Sequence, residues 1–420
     1  MATASPPAEA AAVATERRRG ALACAAALSA VLGARVAHAD EPLVIPVPPA
    51  AAAPAREQAS PDDPEVTAVE LRFGWFEQQG HGYQSQANDV RGFPGSEWAT
   101  IAQPMALFRI RQGPHIEHTV VIPVDVVTAA SPDALDAITS ASRRNESAGV
   151  DMTTVIHAGV DDFALRWGAH FEEPLRAGSW GAGWTRHLAE DNATVSLSGN
   201  ATFDYFDNIS QEGFTDGQDS RLSVNGNLGA SQILSPTTLF DASYGLTYQT
   251  GLLEQTWNAV PRGPLRSVLG EKFPHQRVRH ALFGRVAQIV PLTRTTLKLA
   301  YRYYTDDFGL SAHTVEVRAY QYLARWLVLR GSWRFHRQTA VDFYTEDASR
   351  MIMEPLSPRT SDSDLAAFDA DEVGVKLMLV PGKVPWAWLR PHSLALSYQR
   401  YTRDNGLHMD VLAIEWGREL

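Results

Sequence analysis

Three consecutive runs between residues 296 and 336 alternate apolar and polar residues, and short polar turns join them. One face of the runs is apolar or aromatic: Leu297, Leu299, Tyr301, Tyr303, Val315, Val317, Ala319, Leu327, Leu329, Trp333 and Phe335. The other face is charged or polar: Lys298, Arg302, Tyr304, Glu316, Arg318, Tyr320, Arg330, Arg334 and His336. Side chains on a strand alternate faces, so each run predicts a strand with one apolar face. Because the pattern recurs to the last residue, it predicts a closed barrel with lipid outside and a polar lumen inside.

The composition agrees with strands that cross a membrane. No long apolar run follows the N-terminal region, which excludes transmembrane helices from the mature part, although 45% of the residues are hydrophobic. The net charge of −11 argues against a nucleic-acid partner, since nucleic-acid binders are normally basic. The 11 Trp and 12 Tyr fit aromatic girdles at two membrane interfaces, although the aromatic core of a soluble β protein would look similar.

The N-terminal region reads as an export signal followed by a spacer. Three consecutive arginines (residues 17–19), a small apolar stretch (20–33) and Ala37-His38-Ala39 predict a cleavable signal peptide over residues 1–39. The only cysteine, Cys24, lies inside it, so the mature chain could form no disulfide, thiol nucleophile or cysteine-ligated metal site. The Pro- and Ala-rich residues 40–65 predict a disordered periplasmic linker, and residues 66–420 form the predicted barrel.

The strand candidates and their connectors give the predicted topology. The candidates are 69–75, 105–111, 116–127, 152–158, 163–171, 179–187, 194–206, 221–232, 238–249, 277–289, 296–304, 314–323, 327–337, 372–379, 393–401 and 409–417. Short connectors (189–192, 234–237, 291–295, 324–326) alternate with long ones (80–97, 207–219, 250–275, 338–371), and one further loop contains residues 131–133 and 143–145. Short turns at one end and long loops at the other are typical of outer-membrane barrels. We therefore expect an all-β, closed antiparallel transmembrane barrel of about 16 strands, with 14 as the alternative.

The last strand has a membrane-facing pattern that ends with the chain. Leu412, Ile414, Trp416 and Leu420 share one face, and Arg418 interrupts it. A terminal lipid-facing strand is the feature that barrel assembly machinery is expected to recognise, although Phe is usual at the position of Leu420. The expected partners are therefore outer-membrane lipid and the assembly machinery, in the bacterial outer membrane.

Three segments resemble a known family. They are Val-Thr-Ala-Ala-Ser-Pro-Asp-Ala (127–134), Gln-Ile-Leu-Ser-Pro-Thr-Thr (232–238) and Tyr-Arg-Tyr-Tyr-Thr-Asp-Asp-Phe-Gly (301–309) ahead of His313-Thr314. Together they resemble the domain-of-unknown-function 3570 (DUF3570) family of bacterial proteins, over roughly residue 66 to the C-terminus. The first segment departs from the family's usual Ser-Gly-Ala-Ser-Pro by having Ala129-Ala130, so it lacks the glycine on which a turn there would depend. The resemblance implies an outer-membrane barrel and assigns no activity and no catalytic residue.

The candidate site is the charged face of the strands between residues 277 and 337. Its basic residues are Arg279, Arg285, Lys298, Arg302, Arg318, Arg330, Arg334 and His336, and its acidic counterweights are Glu316 and Glu372. A wall of arginines inside a barrel would attract anions and bind carboxylate or phosphate groups. Alternatively the cations form a structural network with acids such as Glu372 or Asp306, because buried charges must be paired.

Other chemistry has weaker support. The acidic loop 207–219 could hold a hard cation, but its spacing does not match the EF-hand pattern, and a solvated loop fits as well. No histidine motif, Gly-x-Ser-x-Gly or other catalytic constellation is present, so we expect no catalytic residue, metal or cofactor. The predicted function is a pore for a small solute, with a preference for anions. The alternatives are a structural or assembly barrel plugged by loop 131–149 or 338–363, an outer-membrane hydrolase, and a soluble periplasmic β protein.

Overall fold

The described part of the chain is almost entirely β-strand. A computed structural model describes residues 64–79, 99–129, 143–172, 175–209, 215–254, 259–262, 267–349 and 357–420. Within these ranges, no helix is long and apolar enough to cross a membrane. The predicted signal peptide and most of the predicted linker lie outside the described residues, as do residues 80–98 and 130–142.

Sixteen strands close into one antiparallel barrel, in which each strand pairs with its neighbours in sequence and β1 pairs with β18. The first nine are β1 (Pro64–Gln79), β2 (Ala99–Gln112), β3 (Ile116–Ala129), β4 (Arg143–Ala158), β5 (Asp161–Glu172), β6 (Leu175–Leu188), β7 (Ala193–Ile209), β8 (Thr215–Ser235) and β9 (Thr238–Gly251). The last seven are β12 (Gln276–Val290), β13 (Thr295–Asp306), β14 (Ser311–Ala324), β15 (Leu327–Gln338), β16 (Phe368–Leu379), β17 (His392–Arg403) and β18 (His408–Glu419). This confirms the predicted closed barrel and its strand number.

Four further elements lie in the described parts of the connectors. Strands β10 (Ala259–Arg262) and β11 (Ser267–Gly270) form a separate two-stranded sheet inside the β9–β12 connection. Two short 3-10 helices, Ser363–Leu365 and Ala387–Leu389, lie in the β15–β16 and β16–β17 connections. None of these elements was predicted, because each is too short to show a periodic pattern.

Two predicted loops are wrong in part. Residues 143–145 belong to β4 and not to a loop, since Arg143 pairs with Ala129 across the β3–β4 ladder. Much of the acidic segment 207–219 also belongs to strands, because β7 runs to Ile209 and β8 begins at Thr215. In both places ladder pairing extends strands through polar sequence that has low intrinsic strand propensity.

The two ends of the barrel differ in their connectors. One end, here called the loop end, carries the long connections 80–98, 130–142, 252–275 and 339–367. The opposite end, here called the turn end, carries the connections 113–115, 159–160, 189–192, 236–237, 291–294 and 325–326. The predicted asymmetry has exceptions, since 173–174, 307–310 and 404–407 are short at the loop end and 380–391 is the longest connection at the turn end.

The outer surface is an apolar band between two girdles of aromatic side chains. Outward side chains at mid-barrel stay uncovered by protein, for example Leu197 at 55%, Leu282 at 57% and Leu299 at 56%, while the inward Ala300 is 8% exposed. At or just past the middle of their strands, toward the loop end, outward aromatic side chains bond polar neighbours: Tyr244 to His280, Tyr301 to His313, Tyr398 to Asp410 and Trp333 to Asp371. Near the turn end Trp184 donates to Asp161 and Trp416 to His392. Aromatic side chains that combine an apolar ring with one polar group suit the two interfaces of a bilayer.

Because the apolar band faces lipid, an arginine substitution should destabilise the barrel far more on the outward face than on the inward face. The variant Leu299→Arg should lower the free energy of unfolding in lipid vesicles by about 2–4 kcal/mol, because it places a cation at mid-bilayer. The matched variant Ser198→Arg points into the lumen and should change that free energy by much less. Urea titration of the vesicle-inserted barrel measures both, and equal losses would contradict the assignment of faces.

Candidate functional site

The inward face of β12–β16 carries all ten predicted residues. The eight basic candidates and both acids alternate with the outward residues of these strands, such as Leu282, Leu299 and Trp333. The structure therefore brings them to one side of the lumen, on five neighbouring strands. Five of them, Arg285, Arg318, Arg334, Glu316 and Glu372, fall into ion pairs, and the cations without an ion pair define the site.

Three predicted cations are neutralised by an acid on the same or the next strand. Arg285 Nε lies 2.9 Å from Asp241 Oδ2, and that carboxylate also accepts a bond from Ser231. The guanidinium of Arg334 lies 2.6 Å from Glu372. Arg318 is paired with Glu316 on its own strand. Asp241 was not among the predicted acids, because its partner is far away in the sequence.

A second layer of charge lies closer to the turn end. Arg330 is only 2% exposed and pairs in register with Lys376 on β16. The ammonium of Lys376 lies 2.7 Å from Glu415 on β18, and Arg72 on β1 lies 3.8 Å from the same carboxylate. The alternation around Lys376, which stands between Val375 and Leu377, could have identified it from the sequence.

His336 is held by polar neighbours on its own and the adjacent strand. Its ring nitrogens lie 2.9 Å from the Thr314 hydroxyl and 3.2 Å from the Gln338 amide oxygen. The ring also packs against Phe368, with 5.6 Å between the centroids. The side chain is therefore a fixed part of the wall.

Two arginines of the β12–β16 wall differ from its paired arginines. Arg279 on β12 and Arg302 on β13 form no hydrogen bond and no ion pair with any residue that the structure describes. The Nε of Arg279 is buried without an acceptor. Tyr304 lies between the two cations, since it follows Arg302 by two residues on β13 and pairs with Ala281 of β12.

The nearest acid is already occupied. The carboxylate of Asp306 forms an ion pair with Arg277 and accepts bonds from the Tyr304 hydroxyl at 2.7 Å and from the backbone N–H groups of Phe308 and Leu310. A carboxylate has about four acceptor sites, so Asp306 has none left for Arg279. Lys298, nearer the turn end, lies 5.3 Å from the centre of the Tyr320 ring and forms no ion pair with a described residue. The wall thus carries excess positive charge at Arg279, Arg302 and Lys298.

The opposite wall is smooth and nearly neutral. The inward residues of β6–β9 are mainly small and polar: Ser179, Gly181, Gly183, Thr185, Ser196, Ser198, Asn200, Thr202, Ser223, Asn225, Asn227, Gly229, Ser243, Gly245, Thr247 and Gln249. Some bond each other across strands, as Thr247 does to Asn225 and Gln249 to Ser223. Because these side chains are short, they take up less of the lumen than the long charged side chains of β12–β16. This wall was not among the predicted sites, although the same alternation with outward Leu197, Leu228 and Leu246 indicates it.

Two long loop-end connections join into one unit, here called the cap. Residues 272 and 359 exchange backbone hydrogen bonds, with Lys272 N–H donating at 3.0 Å and Arg359 N–H at 2.8 Å. Ala348 N–H donates to the Pro261 carbonyl at 2.7 Å, which links β10 to the other loop. Phe273, Phe308 and Phe343 pack with centroids 5.1–5.9 Å apart. Burial, with nearby Glu346 and Asp362, raises the pKa of the Tyr344 hydroxyl to about 12.

The cap is fastened to the inward face of the barrel. The Gln338 amide donates to the carbonyls of Asp364 and Ala366 at 2.9 and 2.7 Å. The buried guanidinium of Arg403 lies 2.6 Å from Asp364 and 4.1 Å from the centre of the Phe368 ring. Because Gln338 and Arg403 both point into the lumen, residues 363–368 lie against its loop-end mouth. The alternative of an inward-folded loop therefore has a structural counterpart in the second of the two loops, 339–367.

Metal chemistry finds no support in the described ranges. They contain no group of three or more His, Cys, Asp and Glu side chains that could hold a metal ion. In the acidic segment of β7 and β8, Asp207 accepts a bond from Gln218 and Asp219 accepts one from the N–H of Ser220. Glu212, a further member of that segment, lies outside the described residues.

The fold and the site define the class of this protein. A closed barrel of 16 antiparallel strands with an apolar outer band, two aromatic girdles and a charged inward face is an outer-membrane β-barrel. The chain belongs to the family described as "Protein of unknown function (DUF3570)", whose model matches residues 185–404. This confirms the resemblance found in the sequence. A search of curated protein sequences finds no significant match.

Three solved structures illustrate the similarity in architecture. One, described as "Bacterial polysaccharide outer membrane secretin", has a TM-score of 0.46 and 6% identity, covering 84% of this chain and 98% of that chain. OccK1 (OpdK) of Pseudomonas aeruginosa has a TM-score of 0.42 and 11% identity, covering 85% and 98%. OccK7 (OpdD) of the same organism has a TM-score of 0.44 and 8% identity, covering 85% and 99%. At these scores the similarities carry no argument about what this chain conducts or binds.

The attachment of the cap is testable by proteolysis. The variant Arg403→Ala removes the ion pair with Asp364 and the contact with Phe368, so residues 339–367 should be cleaved at least tenfold faster in the folded barrel. Loss of one partner of a buried ion pair costs about 3–5 kcal/mol. This cost exceeds the change in free energy that a tenfold faster cleavage requires. The control is Arg337→Ala, whose pair with Asp369 is exposed on the outer face. Equal cleavage rates in the two variants would show that Arg403 does not hold the cap.

Proposed function

We propose that this protein is a non-enzymatic outer-membrane channel, exported by its N-terminal signal peptide, that passes small anionic solutes along the lumen. The observation that carries the proposal is the pair of inward arginines, Arg279 and Arg302, that have no acidic partner among the described residues. The remaining lumenal cations named above serve mostly as structural partners of acids.

Electrostatics favours an anion at this place. A guanidinium in a partly buried wall has lost some hydration, and a carboxylate, phosphate or sulfate group that approaches it supplies a charge-assisted hydrogen bond. The pairs Arg277–Asp306 and Arg285–Asp241 on either side of Arg279 are neutral as units, so they do not cancel its field. A cation would meet repulsion from Arg279 and Arg302 together.

The shape of the lumen supports passage beside the arginines. The small residues of β6–β9 leave room opposite the charged strands, and their hydroxyl and amide groups can bond a hydrated solute without holding it by charge. A path lined by one charged and one neutral polar wall selects solutes by the sign of their charge. It also binds them weakly enough to release them.

The cap supports a second candidate, a closed structural barrel. Its contacts with Gln338 and Arg403 place protein at the mouth of the lumen. On the first proposal the cap narrows the entrance and excludes large solutes, and on the second it blocks conduction altogether. Reconstitution separates the two.

Zero-current potentials across a planar bilayer test the channel proposal. In a KCl gradient the wild-type chain should conduct with an anion preference, and Arg279→Gln/Arg302→Gln should lower the chloride-to-potassium permeability ratio about fivefold or more. The estimate follows from about 1 kcal/mol for a unit charge at about 4 Å in water. The matched control, Arg400→Gln, removes an exposed cation outside the lumen and should leave the ratio unchanged.

Four results would count against the channel. Cation preference in the wild type, or an unchanged ratio in the double variant, would remove the role of the arginines. Silence in the wild type together with conduction in Arg403→Ala would favour the capped structural barrel. Silence in both, with correctly folded protein, would exclude passage.

A further inference from the structure

Three neighbouring connections at the turn end form an exposed surface of cations and large apolar side chains. They are 291–294 between β12 and β13, 325–326 between β14 and β15, and 380–391 between β16 and β17. We call this surface the turn-end patch, and it consists of Leu292, Arg294, Arg325, Trp326, Lys383, Trp386, Trp388 and Arg390. These three connections contain no acidic residue.

The apolar members of the patch are uncovered to an unusual degree. Leu292 is 94% exposed and Trp388 is 71% exposed. Trp326 and Trp386 pack edge to face with centroids 5.6 Å apart, which fixes an aromatic platform between two of the connections. Large apolar groups clustered in this way mark a contact surface, since isolated exposed residues need no explanation but a patch does.

The cations of the patch form no ion pair with an acid in the described ranges. Arg294, Arg325 and Lys383 are exposed and form no ion pair or side-chain hydrogen bond with any residue in the described ranges. Among the described residues, Arg390 donates only to the backbone carbonyl of Val384, at 3.4 Å. The patch is therefore a concentrated positive charge next to apolar rings.

The other side of the turn end carries acidic side chains. The connections 159–160 and 189–192 carry or adjoin Asp161, Asp162, Glu190 and Asp191. There the basic side chains are paired, as His187 is with Asp162 and Arg186 with Asp161. The positive surface is thus local, and it is not the general charge of the turn end.

We propose that the turn-end patch binds the headgroup of an anionic phospholipid in the membrane leaflet at the turn end. The outward apolar band reaches directly to the patch through Leu323, Leu377 and Leu396, which are 56%, 39% and 49% exposed. A phospholipid whose acyl chains cover these leucines places its phosphate at the height of Arg294, Arg325 and Lys383. The Trp rings then lie at the membrane interface, where Trp is favoured.

Charge decides between anionic and zwitterionic headgroups. Each Lys or Arg close to an anionic membrane surface contributes about 1 kcal/mol, which corresponds to about fivefold in affinity. A zwitterionic headgroup offers a phosphate and also a cation that the patch repels. The patch should therefore retain an anionic phospholipid in preference to a zwitterionic one. This inference rests on the proposed membrane location and is independent of conduction.

Native mass spectrometry tests the inference. The folded barrel is released from detergent micelles that contain equal amounts of phosphatidylglycerol and phosphatidylcholine, and the bound lipids are counted. The wild type should retain phosphatidylglycerol at least fivefold more than phosphatidylcholine. The triple variant Arg294→Gln/Arg325→Gln/Lys383→Gln should bring the ratio close to one.

A matched control separates the patch from net charge. The variant Arg186→Gln/Arg337→Gln/Arg400→Gln removes three cations elsewhere on the barrel and should keep the wild-type lipid ratio. Shifted gel mobility of the unheated sample verifies folding of each variant. Equal retention of both lipids by the wild type, or equal loss of preference in the two triple variants, would overturn the inference. Either result leaves the bilayer selectivity test of the channel unaffected.

Discussion

Closure of the hydrogen-bond ladder is the constraint on which the rest of this structure depends. β1 pairs with β18 from Ala68 opposite Glu419 to Gln79 opposite His408, so the first and last strands leave no open edge. In hydrocarbon each unpaired backbone group costs several kcal/mol, and only a closed sheet avoids that cost in a strand protein. The N–H of Leu420 extends the closure by donating to the carbonyl of Thr67 at 2.9 Å.

Closure also divides every strand into two environments. Because side chains alternate, a one-residue shift in register would move the arginines of β12–β15 into lipid and the leucines into the lumen. The ion pairs across strands, such as Arg334–Glu372 and Lys376–Glu415, add a second cost to such a shift. The charged face therefore helps to fix the register that places Arg279 and Arg302 inside.

The strands could be predicted from the sequence, but the ion-pair partners of their charged side chains could not. Alternation of period two located all sixteen barrel strands, and it missed strand residues where polar sequence continues a ladder, as in residues 143–145 and 207–219. The pairing of Arg285 with Asp241 joins residues 44 positions apart, so no local pattern contains it. Likewise Arg279 could be recognised as unpaired only after the structure showed that Arg277 occupies Asp306. The cap arises from contacts between two loops and has no periodic signature at all.

Successive residues of β13 face opposite environments, and electron paramagnetic resonance on single spin labels measures this directly. Cys24 is replaced by serine, and labels are attached in turn at positions 297 to 302 of the barrel in vesicles. Oxygen collision rates should be high at 297, 299 and 301 and low at 298, 300 and 302, since oxygen concentrates in lipid. A uniform profile, or the reverse alternation, would contradict a barrel with its arginines inside.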